Sequence, residues 1–373
     1  MRNAIGLLFA NNSSDILQGL AFERSIAAVP FGGRYRLLDF ALSSMVNSGI
    51  RTIGLVTPRQ YRSLLDHLGA GKEWFLDRKT GGLFILPGAI QGLSGQSGKY
   101  RLKDLQLNIE FLQKDFSENI IISGCNNVFN INYKTALALH ETKQADITLI
   151  YKESDDSAAM VGKERLVIGD DQKVLDIQGS DTSESSGQSQ AYFIDILIIR
   201  RKLLLEIVEG YTSIESVNLM DAIIENIHSL KICGVPFSGY YGTINSVKEY
   251  FDRSMELLNP EIRKEVLTSQ DQIHTKIVDN PPTKHCTHSK VSNSLISSGC
   301  TIEGEVHNSI LSRGVVVERG SVIKNSIVMQ KCKISAEASL NYIILDKFVK
   351  VHSGNVLKGN KNIPLVVLKG SLV

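Results

Sequence analysis

Residues 4–20 read AIGLLFANNSSDILQGL. Ala4 to Phe9 is a short, continuous apolar run ended by the turn formers Asn11, Asn12, Ser13, Ser14 and Asp15, the pattern of a buried parallel strand turning into a helix. Units of this kind often hold a phosphate. Glycines let the backbone approach the anion, and the helix N-terminus offers free N–H groups. This turn has no glycine between Leu7 and Gln18 and no cation before Arg24. The strand is kept, but the phosphate cradle is missing.

Working outward, strand-like runs alternate with helical stretches up to about residue 255. The strands are TIGLVT (52–57), NIIISG (119–124), ITLIYK (147–152) and AYFIDILII (191–199). Between them stand helical patterns such as FALSSMVNSG (40–49), RQYRSLLDHLG (59–69) and NYKTALALHETK (132–143). The alternation predicts a doubly wound α/β sheet, which binds ligands beyond the C-terminal ends of its strands.

After the polar stretch 261–290 the grammar changes. NSLISSGCTI, NSILSRGVVV, NSIVMQKCKI and NYIILDKFVK start at Asn293, Asn308, Asn325 and Asn341, at spacings of 15, 17 and 16 residues. No copy can bury its own apolar edge, so the copies are expected to stack as a triangular β-helix of hexapeptide-like units. The expected organisation is an α/β domain over 1–255, a linker over 256–290 and a β-helix over 291–373. Cys300 and Cys332 share the register of Val315 and read as inward-facing small hydrophobes. The histidines of HCTH (285–288) have no second ligand pair at a zinc-like spacing, so the stretch reads as solvated linker.

The bulk numbers exclude several classes. Across 373 residues the formal net charge is +2, and no Lys/Arg run marks a nucleic-acid or polybasic membrane face. The longest apolar runs are strand-length. The five cysteines, at 125, 233, 286, 300 and 332, form no CxxC pair. With no signal-peptide layout at the start, the expected location is the cytoplasm.

Two long segments carry the recognition: VPFGGRYRLLDFALSSMVNSGI (29–50) and HLGAGKEWFLDRKTGGLFILPG (67–88). With SGYYGTINSVKEYFDRSMELL (238–258) and the solenoid, they make nearly the whole chain resemble the bacterial glucose-1-phosphate adenylyltransferase (ADP-glucose pyrophosphorylase) family. The resemblance implies a Rossmann-like, mostly parallel nucleotidyltransferase domain followed by a left-handed parallel β-helix. It also implies a reaction, in which ATP and glucose 1-phosphate give ADP-glucose and pyrophosphate with magnesium. The β-helix supports oligomers in that family and, with the first domain, effector sites.

Counted in register from AVPFGG, the glycines of the family loop fall on Asn11, Asn12 and Ser14, its arginine on Ile16 and its lysine on Ile26. The family strand that ends SGDH reads SGCNNVF here, so Cys125 or Asn126 takes the place of a magnesium-binding aspartate. A second family aspartate falls on Tyr240, and no Glu-Lys-Pro sugar-phosphate motif is present near 175–190. Side chains replace the backbone approach, both cations are gone and neither carboxylate remains.

The resemblance therefore points to the degenerate, D-type partner of a catalytic paralogue in glycogen synthesis. Such a chain is expected to be non-catalytic and regulatory, to bind no cofactor itself, and to join a heterotetramer whose catalytic subunit holds magnesium. An active adenylyltransferase with divergent ligands is the alternative. A hexapeptide-repeat acyltransferase is a remoter one, with His307 and His352 as the solenoid histidines. Arg34 and Arg36 read as structural partners of carboxylates such as Asp39, or as binders of a sugar-phosphate or nucleotide effector.

Overall fold

The computed structural model describes residues 4–11, 14–88, 100–155, 160, 162–179, 189–211, 217–268 and 271–373, with backbone alone at 14–16 and 18. Ala4–Phe9 lies inside a nine-stranded sheet, parallel to Thr52–Thr57 on one side and to Asn119–Gly124 on the other. The order is Val174–Gln178, Arg165–Ile168, Gln190–Arg200, Asn119–Gly124, Ala4–Phe9, Thr52–Thr57, Gly82–Pro87. Ile147–Ser154 also pairs with Gln190–Arg200 and carries Ile232–Pro236. Gln190–Arg200 runs against its neighbours and Val174–Gln178 against Arg165–Ile168, while the other described strands share one direction. The sheet is mostly parallel.

The apolar run of the first strand feeds two cores, because alternate side chains leave a strand on opposite faces. Ile5, Leu7 and Phe9 join Leu105, Leu204 and Ile223; Leu8 and Ala10 join Leu38, Leu42, Leu64 and Trp74. A strand covered on both faces needs no polar side, hence its unbroken hydrophobicity.

From Lys284 onward the chain forms three five-stranded parallel sheets, the faces of a left-handed β-helix. Ile302, Val317, Ile334 and Val351 stack in register and are fully buried. Cys300 and Cys332 also point inward, and burial pushes both thiols up in pKa, Cys332 to about 12. At one corner the side-chain amides of Asn293, Asn308 and Asn325 each donate to the next coil's asparagine, at 2.8, 2.6 and 3.0 Å. These three sit in the left-handed region, at φ 41, 46 and 45°.

The fourth copy departs from the expected alignment on asparagine. Ile327 pairs with Ile344, so Tyr342 (φ 56°) takes the corner and the last spacing is 17 residues. Asn341 still accepts from Asn325 although it stands one residue earlier, which keeps the ladder intact while the backbone slips. The stretch 256–290, expected as a linker, carries helix Pro260–Leu267 and the first solenoid strand, Lys284–His285. His285 and His288 are exposed there, and the described residues contain no cluster of His, Cys, Asp or Glu that could hold a metal.

The two halves share a core. Leu17, Ile26, Phe31, Phe40, Tyr250 and Leu257 pack with Ile327, Met329 and Ile344 of the β-helix. No helix among the described residues is long and apolar enough to cross a membrane.

Candidate functional site

In an open α/β sheet the ligand crevice lies beyond the strand C-termini. Here that means the ends of Ala4–Phe9 and Asn119–Gly124, joined by the bond from Cys125 N–H to the Phe9 carbonyl at 3.1 Å. Five segments send side chains into this space. Tyr100 packs edge-on against Phe9 with ring centroids 5.0 Å apart, and its hydroxyl donates to the Asp195 carbonyl. Asp195 sits where the register of Gln190–Arg200 shifts, a bulge that re-aims its side chain. Its carboxylate is paired with Lys163, whose ammonium also donates to Tyr241 Oη at 2.8 Å. Asn127 Nδ2 approaches the same carboxylate at 3.5 Å.

Tyr100, Lys163 and Asp195 are each at most 2% exposed. Tyr100 and Asp195 have φ of 55 and 58°, a conformation usually left to glycine and costing about 1–3 kcal/mol for other residues. Two strained residues and a buried ion pair thus stand at the strand ends, where sheets of this kind bind their ligands. On the flank, Asn11 Nδ2 donates to Asp104 Oδ2 at 2.6 Å, and Arg101 neutralises the same carboxylate at 3.3–3.4 Å.

The residues singled out from the sequence scatter around these strand ends. Asn12 lies outside the described residues, as do the side chains of Ser14 and Ile16. Ile26 is 1% exposed in the core shared with the β-helix, so an apolar side chain there is part of the packing. Cys125 is fully buried, and burial raises its thiol far above the ordinary range. Asn126 donates to Asn245 Oδ1 at 3.0 Å and, more weakly, to the Ile244 carbonyl at 3.5 Å. Tyr240 turns away from the crevice and donates to Glu256 Oε2 at 2.5 Å, while its neighbour Tyr241 faces Lys163.

Magnesium wants charged or polar oxygens at close range. A protonated buried thiol, an amide whose nitrogen faces two acceptors and a phenol tied to Glu256 do not fit it.

Arg34 is exposed and lies over the Tyr35 ring at 5.1 Å. Neither guanidinium bonds Asp39, whose carboxylate takes His67 Nε2 at 2.6 Å and the Arg36 backbone N–H at 2.9 Å. Arg36 instead donates to the Ser63 carbonyl and lines a cleft of about 420 Å³ between the two halves. Burial lowers its pKa to about 10, so the side chain is still a cation at neutral pH. Arg24 and Lys347 line the same cleft. Sequence reasoning missed Arg24 and Lys347, along with Tyr100, Lys163 and Asp195. A lone cation or a lone tyrosine has no local signature; only the unusual Asp195 within an otherwise apolar strand offered one.

A nucleotidyl transferase family model matches residues 8–160, and a GlmU-like C-terminal hexapeptide model matches residues 275–362. The chain is 34% identical over 367 residues to the glycogen biosynthesis protein GlgD of Bacillus subtilis (strain 168), covering 98% of this chain and 96% of that protein. Identity to GlgD of Geobacillus stearothermophilus is 36% over 368 residues, or 99% and 96% of the two chains. A glucose-1-phosphate adenylyltransferase of Bacillus cereus is 28% identical over 374 residues, 98% of each chain. With both halves of its fold and its full length matched in this way, the chain belongs to the glucose-1-phosphate adenylyltransferase family, in the group of the glycogen biosynthesis protein GlgD.

Proposed function

We propose that this chain is a non-catalytic, regulatory subunit of a glucose-1-phosphate adenylyltransferase hetero-oligomer, a heterotetramer acting in glycogen synthesis in the cytoplasm. The observation that carries the reading is the cluster of Tyr100, Lys163 and Asp195 buried at the strand ends. Beside it stand uncharged side chains where transfer chemistry needs cations and carboxylates. ATP and magnesium are then handled by a catalytic paralogue. This subunit acts by favouring one of its partner's conformations, a coupling of about 1–3 kcal/mol in ordinary cases. The cleft lined by Arg24, Arg36 and Lys347 is its candidate site for an anionic effector.

The test is gel filtration and steady-state kinetics of the catalytic subunit, titrated past stoichiometry with this chain. Co-elution with raised kcat or altered effector response is expected, with no turnover by this chain alone. Separate elution with unchanged kinetics would reject the regulatory reading. Turnover by the isolated chain that survives a second purification would reject the non-catalytic one.

A further inference from the structure

In the cleft between the α/β half and the β-helix, Arg24, Arg36 and Lys347 surround one buried carboxylate, that of Asp346. Arg24 Nη2 lies 2.5 Å from Asp346 Oδ2, and the two side chains are 7% and 3% exposed. The other carboxylate oxygen accepts the Lys347 backbone N–H at 2.7 Å. The Asp346 backbone is fixed at both polar groups, by the Val367 carbonyl at 3.0 Å and the Cys332 thiol at 2.9 Å. Arg24 is held on its own side, its Nε donating to the Leu20 carbonyl at 2.8 Å. One arginine from the first half thus meets one carboxylate presented by the solenoid, 322 residues away in sequence.

Asp66 and Glu23 also line the cleft, and Asp39 and Asp66 favour the charged form of Arg36, but neither Arg36 nor Lys347 forms an ion pair there among the described residues. Arg36 bonds a carbonyl, and burial together with the neighbouring arginines brings Lys347 down to about 7. At the rim, Lys369 and Glu23 pair across the same boundary at 2.9 Å, where both are partly or largely exposed.

A guanidinium binds a carboxylate and a phosphate through the same geometry. We propose that Asp346 is a tethered competitor for a phosphate-class oxyanion in this cleft: the anion binds by displacing Asp346 from Arg24, and so loosens the contact between the two halves. This rests on the reading of the cleft as an anion site. A tethered group competes at an effective concentration on the order of millimolar or above, so dilute anions are kept out. By reciprocity, whatever weakens the Arg24–Asp346 contact strengthens anion binding.

The experiment is calorimetric titration of the full chain with inorganic phosphate at constant ionic strength, for wild type, Asp346→Asn, Arg24→Gln and the double variant. Asp346→Asn removes the competing charge and is expected to bind phosphate at least about tenfold tighter. The double variant is expected to lose that gain. Equal, measurable affinity in wild type and Asp346→Asn would overturn the competitor role and leave the anion site standing. Absence of phosphate binding in all four would remove both. If Asp346→Asn does not fold, hydrogen exchange of the Lys347 amide in the unmodified chain decides. Saturating phosphate is expected to speed it, and unchanged or slower exchange overturns the proposal.

Discussion

Asn126 sits against acceptors. Its amide nitrogen faces Asn245 Oδ1 and the Ile244 carbonyl, and the Asn245 amide is turned to Thr243 Oγ1 at 3.1 Å. Restoring the family's carboxylate by Asn126→Asp therefore sets an anion against two oxygens. We expect a stability loss of about 1–3 kcal/mol by urea unfolding and no adenylyl transfer, since groups that act together in catalysis are not recovered singly. Detectable turnover by this variant would show that the crevice opens more readily than its packing implies. His140 supplies a pH test. It is buried on Thr148 Oγ1 at 2.8 Å, and burial first, then the Arg200 cation, lowers its pKa to about 4. The unfolded chain takes up this proton near pH 6.5, the folded chain only near 4, so the stabilisation is complete above about 6.5 and is lost as pH falls toward 4. His67 and His274 are lowered as well and add in the same direction. Unfolding midpoints between pH 7 and 4 should drop steeply, and less so in His140→Gln. Parallel pH curves would exclude His140 as the cause.

A coil of the β-helix contributes only two- and three-residue strands, so its stability comes from stacking on the next coil rather than from its own length. Val317 lies between Ile302 and Ile334 on adjacent coils and is fully buried. Val317→Asp should cost several kcal/mol, on the order of the penalty for an unpaired buried charge. Arg319, exposed at a corner, should tolerate alanine within about 0.5 kcal/mol. Thermal melts separate the two; equal midpoints would mean that the rungs are not stacked in this register. The corner asparagines follow the same logic, because each combines a left-handed backbone with a bond to the next coil.

At the scale of the molecule, the solenoid is built into the first half. Ile327, Met329 and Ile344 cover Phe31, Phe40 and Tyr250, and Tyr250 Oη in turn donates to the Pro30 carbonyl at 2.7 Å. The segment 29–50 that identifies the family is therefore held partly by the β-helix. A chain ending at residue 280 should expose this surface and either aggregate or melt at least about 5 °C below the full chain, which should itself unfold in one transition. A truncated chain as soluble and as stable as the whole, or two separate transitions in the full chain, would contradict a shared core.

The sequence by itself determined the kinds of element and their succession. Unbroken apolar runs such as Ala4–Phe9 and Asn119–Gly124 mean strands buried on both faces, and asparagine-led repeats mean stacked coils. Both signals are local and periodic. It also showed which chemical groups are missing, since an isoleucine at position 26 is no cation in any fold. Only the tertiary structure decided what stands at the strand ends. Tyr100 and Asp195 lie 95 residues apart and Lys163 and Asp195 lie 32 apart, and a bulge brings them together. Arg24 and Asp346 come from opposite halves of the chain. Pairings over such distances leave no periodic trace, because they are fixed by how finished elements pack; the one-residue slip that puts Tyr342 at a corner is settled by that same stacking.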